Sequence, residues 1–145
     1  MIQVVFPEPN FKLKEEGGKH YIFCLIRKQW LVVSEEEWVR QNFVHYLISV
    51  LNYPAALVAL EKELVLNGLK KRFDILIYNK NFEPWMLVEC KAPEVSLNEE
   101  VFKQALRYNM VVPVSYIILT NGNITFGWQK GKSDLHQITE MPVLE

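Results

Sequence analysis

Three charged residues stand in stretches that are otherwise apolar: Asp74, Glu89 and Lys91. The run Trp85-Met-Leu-Val-Glu-Cys-Lys-Ala-Pro93 reads as a strand. Side chains alternate between the two faces of a strand, so Glu89 and Lys91 share one face and Cys90 takes the other. Charged side chains are seldom buried unless they are paired or bound to something. The preceding run, Lys70 to Tyr78, also reads as a strand, with Asp74 on the face of Arg72 and Leu76, and Phe73, Ile75 and Ile77 on the other. If the two strands pair through the turn at 79–84, Asp74 lies near the end that carries Glu89 and Lys91. Two carboxylates with a backbone carbonyl and waters are the usual ligand set of Mg²⁺ or Mn²⁺. Such an ion polarises a phosphoryl oxygen and lowers the pKa of a bound water. A neighbouring lysine can orient that water or stabilise charge growing on a phosphate. An isolated Glu-x-Lys is more often an ion pair at a sheet edge, and the strand-borne Asp74 across a hairpin is what raises the metal reading.

The elements that must position these groups are legible from periodicity and turn chemistry. His20 to Ile26 and Trp30 to Val33 flank Arg27-Lys-Gln29 as an N-terminal hairpin. Ser34, followed three residues later by Glu37, is a capping-box pattern that opens a helix, with Val39, Phe43, Tyr46, Leu47 and Val50 as its apolar stripe. Tyr53-Pro54 ends it. Residues 56–66 and 70–78 read as strands joined by Asn67-Gly68, a strong short hairpin signal. A second helix is expected over 98–109 with Asn98 as its cap, then strands at 114–120 and 124–128 around Asn121-Gly122. The segment from Gly131 is polar and weakly patterned. The order implies an α/β (α+β) fold, a mixed central sheet flanked by helices. A single domain over 1–145 is expected, with N-terminal strands to 33, a core over 34–128 and a C-terminal tail over 129–145.

Composition sets bounds on function. Half the residues are apolar and 12% aromatic, which fits a folded core. A formal net charge of −1 gives no global basic field, so nucleic-acid binding would have to come from a local patch. Two such patches exist. Lys70, Lys71 and Arg72 precede Asp74, and Lys103 and Arg107 share a face of the second helix. Cys24 and Cys90 sit in apolar runs and read as reduced thiols. There is no secretory segment near Met1 and no apolar run long enough to cross a bilayer, so a cytoplasmic location without membrane contact is expected.

The ordered set Glu36-Glu-Trp-Val-Arg-Gln41, Asn52-Tyr-Pro54, Lys71-Arg-Phe-Asp74, Leu87-Val-Glu-Cys-Lys-Ala-Pro93, Gln104-Ala-Leu-Arg-Tyr108 and Leu119-Thr-Asn-Gly122 resembles the PD-(D/E)XK nuclease superfamily. Within it, the set resembles the N-terminal nuclease domain of type I restriction enzyme R subunits (HsdR). Here Arg72-Phe precedes Asp74, without the proline frequent at that place. The resemblance implies an α-β-β-β-α-β core, DNA as substrate and Mg²⁺ as cofactor, with Mn²⁺ as a substitute. It implies Asp74 and Glu89 as metal-binding acids, Lys91 as the catalytic lysine, and Gln104 and Tyr108 as the Gln-x-x-x-Tyr element of the site. Positions four apart on a helix lie on one face, which agrees with that last pair. A further metal-side carboxylate is expected from Glu36 or Glu37; Glu37 is selected because it lies one turn before Gln41 and two before His45. Glu61 is another candidate, although it and Glu63 more often face solvent in such a strand. No Gly-x-x-x-x-Gly-Lys-Ser/Thr loop occurs, so a nuclease-like domain without the helicase motor is expected. Its implied partners are DNA, other subunits of a restriction or repair complex, and a second copy of the chain. The alternative is a catalytically silent nucleic-acid-binding or assembly module of the same fold.

Overall fold

The structure is a computed structural model and describes residues 1–144. Three short antiparallel strands come first: β1 (Leu13–Glu16), β2 (Lys19–Cys24) and β3 (Gln29–Val32). The N-terminal hairpin is therefore extended by a strand whose sequence, Leu-Lys-Glu-Glu, is exposed throughout and carries no alternation to reveal it. The second strand ends at Cys24, because the turn begins at Leu25 and closes through Lys28 with a positive φ of 57°.

Helix α1 (Glu35–Ser49) begins where Ser34 Oγ accepts the Glu37 N–H at 3.0 Å, and Glu35, Glu36 and Glu37 place negative charge at the positive end of its dipole. Val39, Phe43, Val44, Tyr46 and Leu47 are buried. Phe43 and Leu47, fully enclosed, contribute roughly 1.5–3 kcal/mol each. Val50, expected in this stripe, is instead 47% exposed at the C-cap.

A six-stranded sheet follows in the order β4 (Val58–Leu66), β5 (Leu69–Tyr78), β6 (Pro84–Cys90), β7 (Tyr116–Thr120), β8 (Thr125–Lys130) and β9 (Leu135–Ile138). Asn67 and Gly68, at φ 51° and 79°, make the tight β4–β5 turn that needs two left-handed residues. Helix α2 (Glu99–Asn109), capped by Asn98 Oδ1 accepting from Val101 N–H, carries the chain over one face so that β6 and β7 pair in parallel. β9 lies in the segment expected to be an unpatterned tail, where four residues leave too little alternation to read.

One core cluster joins Val39, Phe43 and Leu47 of α1 to Ile75, Ile77, Met86 and Val88. The other joins Phe73, Leu76, Leu87, Ile117 and Leu119 to the apolar face of α2. Phe73 thus packs on the opposite side from Ile75 and Ile77, against strict alternation. The departure coincides with a gap in the ladder: Leu60 pairs with Ile75 and Lys62 with Phe73 in one register, but the pair between them is missing where Glu61, at φ 48°, stands beside Asp74.

Candidate active site at a fork in the sheet

Strands β5 and β6 pair only over part of their length. The register runs Ile77 to Met86, Leu76 to Leu87 and Ile75 to Val88, and there it stops. Toward Leu69, β5 continues paired with β4; toward Cys90, β6 continues paired with β7. The sheet forks, and Asp74 and Glu89 are the first residues past the split. The Cys90 N–H, which no β5 carbonyl meets, donates to Asp74 Oδ2 at 2.8 Å.

On the α1 side of the fork lies a buried ion network. Arg40 Nη2 and Nε donate to Glu37 Oε1 and Oε2 at 2.9 and 3.1 Å, a two-pronged pairing. Arg40 Nη1 reaches Glu61 Oε1 at 2.9 Å and Asp74 Oδ1 at 3.4 Å. Gln41 Nε2 adds a bond to Glu37 Oε2 at 3.1 Å. Glu61 also receives Arg27 from the β2–β3 turn at 3.3 Å, which ties the small sheet to the site. Burial works against the Arg40 charge, and the Glu37 and Asp74 carboxylates more than offset it, so its pKa is raised. For Glu61 burial pushes upward, yet Arg40, Arg27 and Arg72 hold the carboxyl below its usual range.

On the α2 side a cavity of about 300 Å³ is lined by Arg72, Glu89, Lys91, Gln104, Tyr108 and Asn109. Burial, and then the Asp74 charge, push the Glu89 carboxyl up to about 7, against the pull of Lys91 and of the neighbouring Asn109 side chain. Glu89 Oε1 is buried without a hydrogen-bond partner, as is Asn109 Oδ1, whose amide nitrogen donates to the Ala105 carbonyl. None of the ion pairs among the described residues involves Lys91. The edge ion pair that a bare Glu-x-Lys suggests is therefore not formed. Asp74 is raised too, because burial outweighs the Cys90 N–H, Arg40 and Lys91.

Asp74, Glu89 and Lys91 therefore meet at the fork, and Gln104 and Tyr108 reach the same cavity as Glu89 and Lys91 from α2. Glu37 is buried and has both oxygens engaged by Arg40 and Gln41. Its neighbour Glu36 feels the fork instead: burial and then Asp74 raise its pKa, while Arg40 and Lys91 oppose them. Of the basic cluster, Arg72 lines the cavity, Lys71 Nζ donates to the Tyr108 carbonyl at 2.7 Å and sits 4.3 Å from its ring centroid, and Lys70 lies 4.0 Å from Glu63. Lys103 and Arg107 border a neighbouring open depression with Glu99 and Glu100 that shares Gln104 with the cavity, and Lys103 pairs with Glu99 at 3.1 Å. His45 packs edge-on against Phe11 on the far part of α1.

Arg40 and Asn109 belong to this site although the sequence did not single them out, and Glu61, a candidate acid there, pairs with Arg40. Arg40 had one detectable signal: it stands three, four and seven positions before Phe43, Val44 and Leu47, a cation inside an apolar helix stripe. Nothing in Glu61-Lys-Glu63 marks a left-handed residue.

Residues 35–142 match the sequence family described as the type I restriction enzyme R protein N terminus (HSDR_N). Among curated proteins, none matches the chain. Of solved structures, a DUF820 protein from Anabaena variabilis ATCC 29413, described there as a candidate nuclease, is similar with a TM-score of 0.48 and 16% identity, over 92% of this chain and 80% of that one.

Proposed function

The chain belongs to the family of the type I restriction enzyme R protein N terminus, and on that premise we propose that it is a Mg²⁺-dependent DNA endonuclease whose active site is the fork between β5 and β6. The observation that carries this reading is the pair Glu89 and Lys91. Glu89 keeps a buried oxygen without a partner, and Lys91 forms no ion pair among the described residues, although the two stand on one strand face beside a cavity. Groups left unsatisfied in this way are available to a ligand.

The donor set fits a hard divalent cation. Asp74 and Glu89 would hold it, with Glu36 near enough to add its field, and the mutual repulsion of these acids is what a cation would relieve. No group of three or more His, Cys, Asp or Glu side chains among the described residues is already gathered to hold a metal. Mg²⁺, which keeps several waters and takes one or two carboxylates, suits such a sparse set. When bound, it would polarise a phosphoryl oxygen and lower the pKa of a coordinated water.

The protein's own groups do the rest. Lys91, with its ammonium free of carboxylates, donates to a phosphate oxygen or to the attacking water. Arg72, beside the cavity, offers a planar donor fork to the neighbouring phosphate. Gln104 presents both a donor and an acceptor, and Tyr108, 47% exposed, presents a ring to a base or sugar. The loop of Asp74 bonds to Cys90 N–H and Arg40 keeps one metal-side acid from swinging away. DNA is the substrate in this reading, and association with other restriction subunits or a second copy would supply the second cut of a duplex.

Cleavage of supercoiled, linear and branched DNA with Mg²⁺ or Mn²⁺ tests the proposal, with Asp74→Ala and Lys91→Ala alongside. Cutting by wild type alone supports it. No cutting by a folded wild type, with binding of the same DNA retained, favours the silent binding module.

A further inference from the structure

The geometry points to Arg40 as a positioning residue: anchored by Glu37 and Glu61, it fixes the orientation of Asp74 at the fork, and so sets how well that carboxylate can hold a divalent cation. The assignment of Asp74 as a metal-side acid rests on the nuclease reading; the contact between Arg40 and Asp74 does not.

Three observations carry it. Arg40 is 5% exposed, and its guanidinium meets three carboxylates from three different elements, Glu37 on α1, Glu61 on β4 and Asp74 on β5. A guanidinium that bonds one acid bidentately has its plane and direction set by that acid, so the two-pronged bond to Glu37 aims Nη1 at the fork. Asp74 is then held from both sides, Oδ2 by the Cys90 N–H at 2.8 Å and Oδ1 by Arg40 at 3.4 Å. Each carboxylate oxygen has two acceptor directions, so one on each remains for a further partner.

The second acid of the anchor is bought with local strain. Glu61 adopts φ 48° in mid-strand and breaks the β4–β5 ladder beside Asp74. A bulky non-glycine residue in the left-handed region persists only where its surroundings impose it, and such residues gather at functional sites. The bond from Arg40 and the contact with Arg27 are what Glu61 makes from that conformation. Arg40 reaches no group lining the cavity of Glu89 and Lys91, so it acts through Asp74 and not on substrate.

The test uses the whole chain and compares wild type with Arg40→Lys and with the double variant Glu37→Gln/Arg40→Met. The double variant removes the buried charge pair together and guards against misfolding of a protein left with an unpaired Glu37. Three quantities are read: Mn²⁺ affinity by calorimetry, kcat and KM on DNA, and hydrogen exchange of the Cys90 amide against that of the remaining β6 amides. Lysine keeps the charge but not the fork, so Arg40→Lys is expected to weaken Mn²⁺ binding by about 10- to 100-fold, as for supports of metal ligands generally. The same variant should lower kcat by a similar factor at unchanged KM, and lose Cys90 protection while other β6 amides keep theirs. A folded Arg40→Lys with wild-type Mn²⁺ affinity and wild-type Cys90 protection overturns the inference. If wild type binds Mn²⁺ and cuts no DNA, the nuclease reading fails while the affinity change still judges Arg40. If wild type binds no Mn²⁺, loss or retention of Cys90 protection decides the clamp alone.

Discussion

Asp74 and Cys90 face each other across the split between β5 and β6, and a side-chain oxygen of the first accepts the main-chain N–H of the second at 2.8 Å. Where strands part, each loses a main-chain partner, and a buried N–H left alone costs about 1–3 kcal/mol. Asp74 supplies the missing acceptor. In the proposed site one carboxylate would thus carry both chemistry and architecture.

That double duty separates two substitutions. Asp74→Asn keeps an acceptor for Cys90 N–H and is expected to stay within about 1–2 kcal/mol of wild type in urea unfolding, with cleavage lost. Asp74→Ala leaves both Cys90 N–H and part of the Arg40 charge unmet, and should cost about 2–4 kcal/mol with the same loss of cleavage. Equal stability of the two variants would mean that the contact across the fork contributes nothing.

Glu89 gives the metal-free protein a pH dependence. Its carboxyl is raised from 4.5 to about 7, so between those values the folded state keeps a proton that the unfolded chain has released. Stability is therefore greatest below this window, falls as pH rises through it, and levels off above about 7, by at most about 3 kcal/mol from this group. Urea unfolding in chelator at about pH 5 and about pH 8 reads the slope, and Glu89→Gln should flatten it. Metal affinity should rise across the same window, since the bound form requires the ionised carboxylate.

The two adjacent helix acids should behave oppositely. Glu36→Gln, on an exposed residue without an ion pair, is expected to leave unfolding within about 0.5 kcal/mol of wild type and to weaken Mn²⁺ binding several-fold. Glu37→Gln removes the bidentate partner of a buried arginine and should cost about 3–5 kcal/mol. The two measurements are a denaturant curve and a metal titration; a stable Glu37→Gln that keeps the Cys90 amide protected and still binds metal poorly would return the third acid to Glu37.

Tyr108 is expected to act through its ring. Tyr108→Ala removes both the stacking surface and the seat of Lys71, and should weaken DNA binding by about 1–3 kcal/mol in fluorescence anisotropy. Tyr108→Phe keeps both and should bind almost as wild type.

The parts of this site that the sequence announced are those whose local context made them odd. Asp74, Glu89 and Lys91 are charges inside runs that alternation marks as core, and the Asn67-Gly68 turn sets the β4–β5 hairpin that leads to them. Helix α1 was equally plain from Ser34 and its stripe. Arg40 shows in the sequence only as a cation within the apolar stripe of α1, which does not say what it meets; only the fold shows three acids converging on it. The same limit explains Glu37. Helical spacing places it on a line with Gln41, and so it is, but that line points into the Arg40 network, while the Glu36 carboxyl feels the charges of Asp74 and Lys91. Phe73 departs from alternation beside the missing Glu61–Asp74 pair, a tertiary feature that no local pattern marks, and β9 is hidden because four residues hold too little pattern.

The interruption at Glu61 has a second effect, on how this protein meets other molecules of itself. β4 is the outer strand of the six, with one row of main-chain donors and acceptors turned away from the sheet. A long flat edge of that kind invites another strand to add to it, the first step of aggregation. The left-handed residue breaks the regular backbone of that edge near its middle, and Lys62 and Glu63 follow it, both exposed. The irregularity that brings a carboxylate to Arg40 thus also makes the open side of the sheet a poor template for a neighbour.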